Sequence, residues 1–199
     1  MIPLKNIMIK YLYILLASFP LLSEVISVDG SLDEPEWEKA QVIDRFYEVS
    51  PYTLQEREES ERTIALIFSN KDGIYVGFKN YQDSESMLSR KSMRDEMTSI
   101  SEKNSINIDF DGDGSKAYII AVSLADSLYD AIKVQSGGYK TDWDGDWIAK
   151  TKQYEGYWVS EIYLPWDMVL MNQPEGSKRK IKYSALRYIA KDQSWLSSA

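Results

Sequence analysis

The chain has 199 residues, with 31 acidic and 23 basic side chains and a formal net charge of −8, the size of one domain that can build a core without staples. It has no cysteine and no histidine, which excludes disulfide frameworks, thiolate nucleophiles, Cys/His zinc sites and histidine-based triads. The acidic balance argues against nucleic-acid binding, which needs clustered Lys and Arg, while 14 Tyr and 6 Trp against 5 Phe favour a wet binding surface.

Residues 1–27 read as a secretory signal. Lys5 and Lys10 form a positive start, and Tyr11–Leu22 is an apolar run too short to span a bilayer. Its removal leaves a domain over residues 28–199 with a charge of about −9. Asp33 is placed to cap a short helical turn through Pro35–Ala40 that buries Trp37. Charged residues crowd Gln55–Arg62, which reads as a solvated loop. Alternation in Ile64, Leu66, Phe68 and again in Ile74, Val76, Phe78, around Asn70-Lys71-Asp72-Gly73, predicts a hairpin over Arg62–Tyr81. The long polar segment Gln82–Glu102 has the length of a functional loop. Further alternating runs follow at Ile106–Phe110, Tyr118–Leu124, Ala131–Val134, Trp147–Thr151, Tyr157–Leu164 and Ile181–Ala190, with a second short turn opening at Pro165-Trp166. About eight short strands between turn-rich segments predict an all-β antiparallel sandwich with one or two short helical turns.

Two segments carry candidate chemistry. Asp109-Phe110-Asp111-Gly112-Asp113-Gly114 matches the first half of a calcium loop, placing Asp109, Asp111 and Asp113 as hard-oxygen ligands, but Ile120 stands where the bidentate Glu belongs. It reads either as a structural calcium site or as an acidic glycine turn. In Trp143-Asp144-Gly145-Asp146-Trp147 two indoles share one side of an extended chain, an arrangement suited to stacking on a sugar ring or to core packing. No nucleophile elbow, P-loop or dinucleotide fingerprint is present. A glycosidase would need two carboxylates across a cleft, which spacing along the chain does not reveal.

Several phrases in order resemble the family 9 carbohydrate-binding module, in the version found N-terminally in large secreted bacterial outer-membrane proteins. They are Val28-Asp29-Gly30-Ser31-Leu32-Asp33-Glu34-Pro35-Glu36-Trp37, Asp72–Gly77, Arg94-Asp95, Asn104–Asp111, Trp143–Trp147 and Gly156–Pro165. The resemblance implies an immunoglobulin-like β-sandwich that binds sugar-chain ends, with structural calcium. Sugar-binding relatives hold the ring between two tryptophans, helped by a carboxylate and an arginine. By position one tryptophan corresponds to Trp195. The other falls on Ser101, the carboxylate on Asn107 and the arginine on Ile120, and Tyr81, Trp143 or Trp166 would have to supply a second wall.

The expected function is therefore non-catalytic carbohydrate binding by a secreted module, serving polysaccharide breakdown by a host protein at the periplasm, cell surface or outer membrane. Trp195, Trp143, Arg94, Tyr81 and Asn107 are the expected sugar contacts, and a neutral oligo- or polysaccharide is the expected partner because the surface is acidic. The alternative is a head domain of a larger envelope protein that contacts proteins and has lost the sugar.

Overall fold

The computed structural model describes residues 26–96, 98–173 and 179–198. The signal-peptide expectation falls almost wholly outside these residues. Within them the chain forms β1 (Gln41–Ile43), β2 (Phe46–Ser50), β3 (Tyr52–Glu56), β4 (Thr63–Ser69), β5 (Gly73–Tyr81), β6 (Lys103–Asp109) and β7 (Lys116–Ser123). Then follow β8 (Leu128–Val134), β9 (Tyr139–Lys140), β10 (Ile148–Tyr154), β11 (Tyr157–Pro165), β12 (Lys182–Ile189) and β13 (Ser194–Ser198).

These strands make two antiparallel sheets. One has five strands in the order β1-β4-β5-β11-β10, the other eight in the order β3-β2-β13-β12-β6-β7-β8-β9. The predicted hairpin is β4–β5, in register from Thr63↔Asn80 to Ser69↔Ile74. The turns expected near Trp37 and Trp166 are short 3-10 segments, Pro35–Lys39 and Trp166–Met168. Asp33 does not cap the first of them; Glu34 holds the cap position and makes no side-chain cap bond.

Strand alternation decides which residues meet between the sheets. Val76, Phe78, Ile106, Ile108, Ile120, Val122, Ile162, Leu164, Ala185, Ile189 and Leu196 form one buried cluster. Polar groups are built into this interior. Asn80 and Asn104 exchange amide hydrogen bonds of 2.8 and 3.0 Å across the sheets, and Ser160 Oγ donates to Asn104 Oδ1 at 2.8 Å. Arg187, fully buried, donates to the carbonyls of Glu61 and Tyr81 at 2.8 and 3.0 Å and to Gln82 Oε1 at 2.8 Å. These partners offset the cost of burying the two amides and the Arg187 NH1 and NH2 groups, while Arg187 Nε has no hydrogen-bond partner among the described residues.

The segment preceding β1 is strapped over the outer face of the five-stranded sheet. Ile26 and Trp37 pack with Phe68 and Tyr75, and Gly77 lets the Trp37 ring approach, since a Cβ there would lie 3.1 Å from it. Glu161, 1% exposed on β11, accepts the Asp29 and Gly30 N–H groups at 2.8 and 2.7 Å. Burial pushes its carboxyl up to about 7, with Glu34 and Asp29 adding repulsion. A carboxyl raised in the folded chain holds its proton more tightly there than when unfolded. Its stabilisation is complete below the ordinary value near 4.5 and is lost as pH rises towards about 7. Glu161→Gln should therefore gain about 2–3 kcal/mol relative to wild type between pH 4.5 and 7.5, read from paired thermal melts. A difference that does not change with pH would contradict this.

Candidate functional site

The face of the eight-stranded sheet that points away from the core carries the residues that matter. On β6, Asn104, Ile106 and Ile108 face the interior, so Lys103, Ser105 and Asn107 face out; on β12, Arg187 and Ile189 face in, so Leu186 and Tyr188 face out. The pairings Tyr188↔Trp195, Tyr188↔Lys103 and Lys103↔Ser123 set one cross-strand row. The next row runs Ser197, Leu186, Ser105, Ala121, Tyr129, and the next Ser184, Asn107, Ile119, Ala131.

Trp195 is half-buried and its ring lies 5.0 Å from that of Tyr188, tilted by 45°. Beyond it Lys103 holds its ammonium 4.6 Å from the Tyr188 ring and donates to Ser99 O. Burial lowers the Lys103 pKa, against the opposing pull of Glu102. The result is a Trp–Tyr–Lys ledge. Its outer end is fixed by Arg57, which joins Glu48 at 2.5 Å, Asp192 at 2.9 Å and Ser194 Oγ at 2.7 Å, clamping the β12–β13 turn that leads into Trp195. The charge-rich stretch before β4 is thus a buttress as well as a solvated loop.

The long loop after β5 walls this face on one side. Ser92 and Glu96 close over Lys103, Ala121, Ser123 and Tyr129. Ser101, the position of the second family tryptophan, is buried; its hydroxyl donates to Leu88 O and accepts from Arg90 N–H, so it ties the loop down. Small side chains, Ser105 and Ala121, 2% and 1% exposed, stand in the row between Leu186 and Tyr129, so the outer face is low there, as a trough beside the taller Trp195 and Tyr129 side chains. Asn107 faces out about 13 Å along the strands from Lys103. It lines a cavity of about 390 Å³ with Lys116, Lys133, Gln135, Lys182 and Ser184. Ile120, the position of the family arginine, is buried between the sheets.

Trp195 and Asn107 therefore share one face, and the other expected contacts lie elsewhere. Trp143 packs edge-on against Tyr118 at 4.9 Å, beside the core. Arg94 reaches Asp130 at 2.5 Å, Asp144 at 3.0 Å and Gly145 O at 3.3 Å, and its guanidinium carbon lies 5.9 Å from the Trp147 ring centroid. Trp147 donates its indole N–H to the same Asp130 at 2.5 Å. Arg94 thus pins the Asp144–Trp147 loop to Asp130 on β8. Tyr81 sits on the outer face of the opposite sheet, among Tyr157, Lys79 and Arg62. Trp166 donates to Asn70 O at 2.9 Å and lines a second cavity of about 390 Å³, whose apolar wall includes Ile74, Val76, Ile106 and Ile108. Lys39, Gln41, Ser69 and Tyr183 line it as well.

The expected calcium residues each turn to their own partners. Asp109 accepts from the N–H groups of Asp111, Gly112 and Gly114 at 3.1, 2.8 and 2.7 Å. Asp111 meets Asn172 and Arg179, and Asp113 accepts from Ser115 N–H. Among the described residues the carboxylates that converge are Asp95, Asp130 and Asp144, with oxygens within 4.8 Å of one another. Asp130 is fully buried and its Oδ1 has no hydrogen-bond partner among the described residues.

No protein-family model and no curated protein sequence matches the chain. Solved structures do. A family 9 carbohydrate-binding module from Caldicellulosiruptor kristjanssonii in complex with cellotriose superposes with a TM-score of 0.57 at 13% identity, covering 87% of this chain and 79% of that one. The glucose complex of a family 9 module from that organism gives 0.57 at 12% identity over 87% and 81%. A Bacteroides uniformis protein named for carbohydrate binding gives 0.59 at 12% identity over 79% and 75%. The chain therefore has the two-sheet fold of family 9 carbohydrate-binding modules.

Proposed function

We propose that the chain is a non-catalytic carbohydrate-binding module whose ligand lies along the outer trough of the eight-stranded sheet. The observation that carries this is the Trp195–Tyr188 ledge set beside a floor of small residues. An aromatic face buries the apolar side of a sugar ring, and Asn107, Ser184 and Tyr129 are placed to meet its hydroxyls. Neighbours of the same fold hold cellotriose and glucose, which supports the ligand class. The lining consists of stacking and hydrogen-bonding groups, as a binding surface requires. We read the module as exported and as the sugar-contacting part of a larger envelope or polysaccharide-degrading system. Calorimetric titration with a panel of oligosaccharides should give saturable binding, at modest affinity because the ledge has one wall. Silence across the panel from a folded sample would overturn the reading.

Calcium enters as a stabilising ion at Asp95, Asp130 and Asp144. These three carboxylates supply hard oxygens, and with Arg94 in place they keep two uncompensated negative charges, which a divalent cation neutralises. Adding calcium should raise Tm by several degrees, as a ligand of the folded state must. Asp144→Asn should remove the increment and Asp113→Asn should leave it. A calcium response lost in the Asp113 variant instead would place the ion in the Asp109–Gly114 turn.

A further inference from the structure

One end of the trough has the opposite charge to the protein. In a chain of net −8, the cavity around Asn107 is lined by Lys116, Lys133 and Lys182, with Asp109 the one carboxylate residue among its lining. Asp109 is 6% exposed and spends its two oxygens on three N–H groups of its own turn. It has little capacity left for the lysines. Lys116 is shared with Asp111 at 3.9 Å, and Lys133 rests 5.6 Å from the Tyr139 ring. Lys182 pairs with Asp109 across β12 and β6, so it rises from the outer face. Ala117 pairs with Lys133 on the far side. Three strand spacings separate the two lysines, about 14 Å at their Cα atoms, which their long side chains can close around one group. Amides and a hydroxyl from Asn107, Gln135 and Ser184 complete the lining.

Amines gathered in a concavity that lacks a free carboxylate attract an anion, and on the same outer face the Leu186–Ser105 pair stands between the ledge row and the Ser184–Asn107 row that lines the concavity. From the Tyr188 row to the Lys182 row is about 20 Å along the strand, the length of an oligosaccharide rather than of one ring. We propose that this end is an anion subsite and that the module prefers acidic oligosaccharides, sugars bearing a carboxylate or a sulfate, over the neutral ones that net charge alone favours. The proposal rests on the trough being the sugar site and names the class of ligand it takes.

The test is a set of calorimetric titrations with a tetragalacturonate, a sulfated tetrasaccharide and an uncharged tetrasaccharide, at about 50 and about 300 mM salt. An anionic sugar is expected to bind about tenfold more tightly than the neutral one at low salt and to lose most of that margin at high salt. Whichever anionic arm shows the margin identifies the group. In the Lys133→Gln/Lys182→Gln variant, whose changes lie on exposed side chains, the margin should vanish while neutral binding persists. Equal affinity for charged and uncharged sugars would overturn the subsite and leave the trough standing. A margin that survives the double variant, or competition by oligoglutamate of equal charge, would also overturn it. No binding by any sugar to the folded protein would remove trough and subsite together.

Discussion

Arg187→Met is expected to lower Tm by on the order of 10 °C. The guanidinium is fully buried in the sandwich and joins the end of β12 to the chain before β4 and after β5, through the carbonyls of Glu61, Arg62 and Tyr81 and the side chains of Thr63 and Gln82. Burial lowers its pKa to about 10, partly restored by Glu102 and Glu61. The charge stays on at neutral pH, and its removal takes the donors from several buried acceptors at once. Breaking such a buried charged group typically costs about 3–5 kcal/mol, and for a domain of this size each kcal/mol is worth about 2–4 °C. Glu102 makes the loss larger: it is buried, burial raises its pKa, and Arg187 supplies the largest opposing charge. Arg187→Lys should recover only part of the stability, because an ammonium does not span the fork of acceptors that a guanidinium does. Melts of the three proteins check this; a Met variant within about 3 °C of wild type would contradict it.

Trp195→Ala should abolish measurable sugar binding while leaving Tm within a few degrees of wild type. The ring is half-buried on the outer face, the interior contact on β13 is made by Leu196, and the turn is held by Arg57, so the fold keeps its fixings when the indole goes. The binding loss is disproportionate for a physical reason. A stacking aromatic contributes about 0.5–1.5 kcal/mol beyond its buried area, and a site of modest affinity has little free energy to spare. Trp195→Phe should keep part of the binding. Unchanged titration by the Ala variant would remove Trp195 from the site. Trp143→Ala should do the reverse, costing stability through its contact with Tyr118 and sparing binding.

Much of this fold was legible in the sequence because its inner strands alternate cleanly. Ile74, Val76 and Phe78, or Ile106 and Ile108, announce a buried face, and their turns are marked by glycine and asparagine. The strands that were missed lie at or near an edge. All of β3 is exposed, Leu54 has a positive φ of 56°, and β13 mixes Trp195 and Leu196 among serines, so no apolar rhythm marks them. The site was half legible. Trp195 and Asn107 were both marked by their positions in a resemblance. Tyr188 was hidden because its partner strand β13 was not foreseen, and Lys133 and Lys182 because only the order of β12, β6, β7 and β8 brings them to one cavity. Trp143 and Trp147 are drawn to the core by non-local contacts: Asp130 accepts the indole N–H of the second, and Tyr118 packs edge-on against the first at 4.9 Å. Tyr81 is set apart by the single fact that β5 belongs to the other sheet.

The most direct measurement is amide and side-chain chemical-shift mapping of the protein titrated with a binding oligosaccharide. The account predicts perturbations confined to one face: the Trp195 indole, Tyr188, Lys103, Ser105, Asn107 and Tyr129, with Lys133 and Lys182 added when the sugar is acidic. Perturbations centred on Tyr81, Tyr154 and Tyr157 of the five-stranded sheet, with the Trp195 indole unmoved, would contradict it.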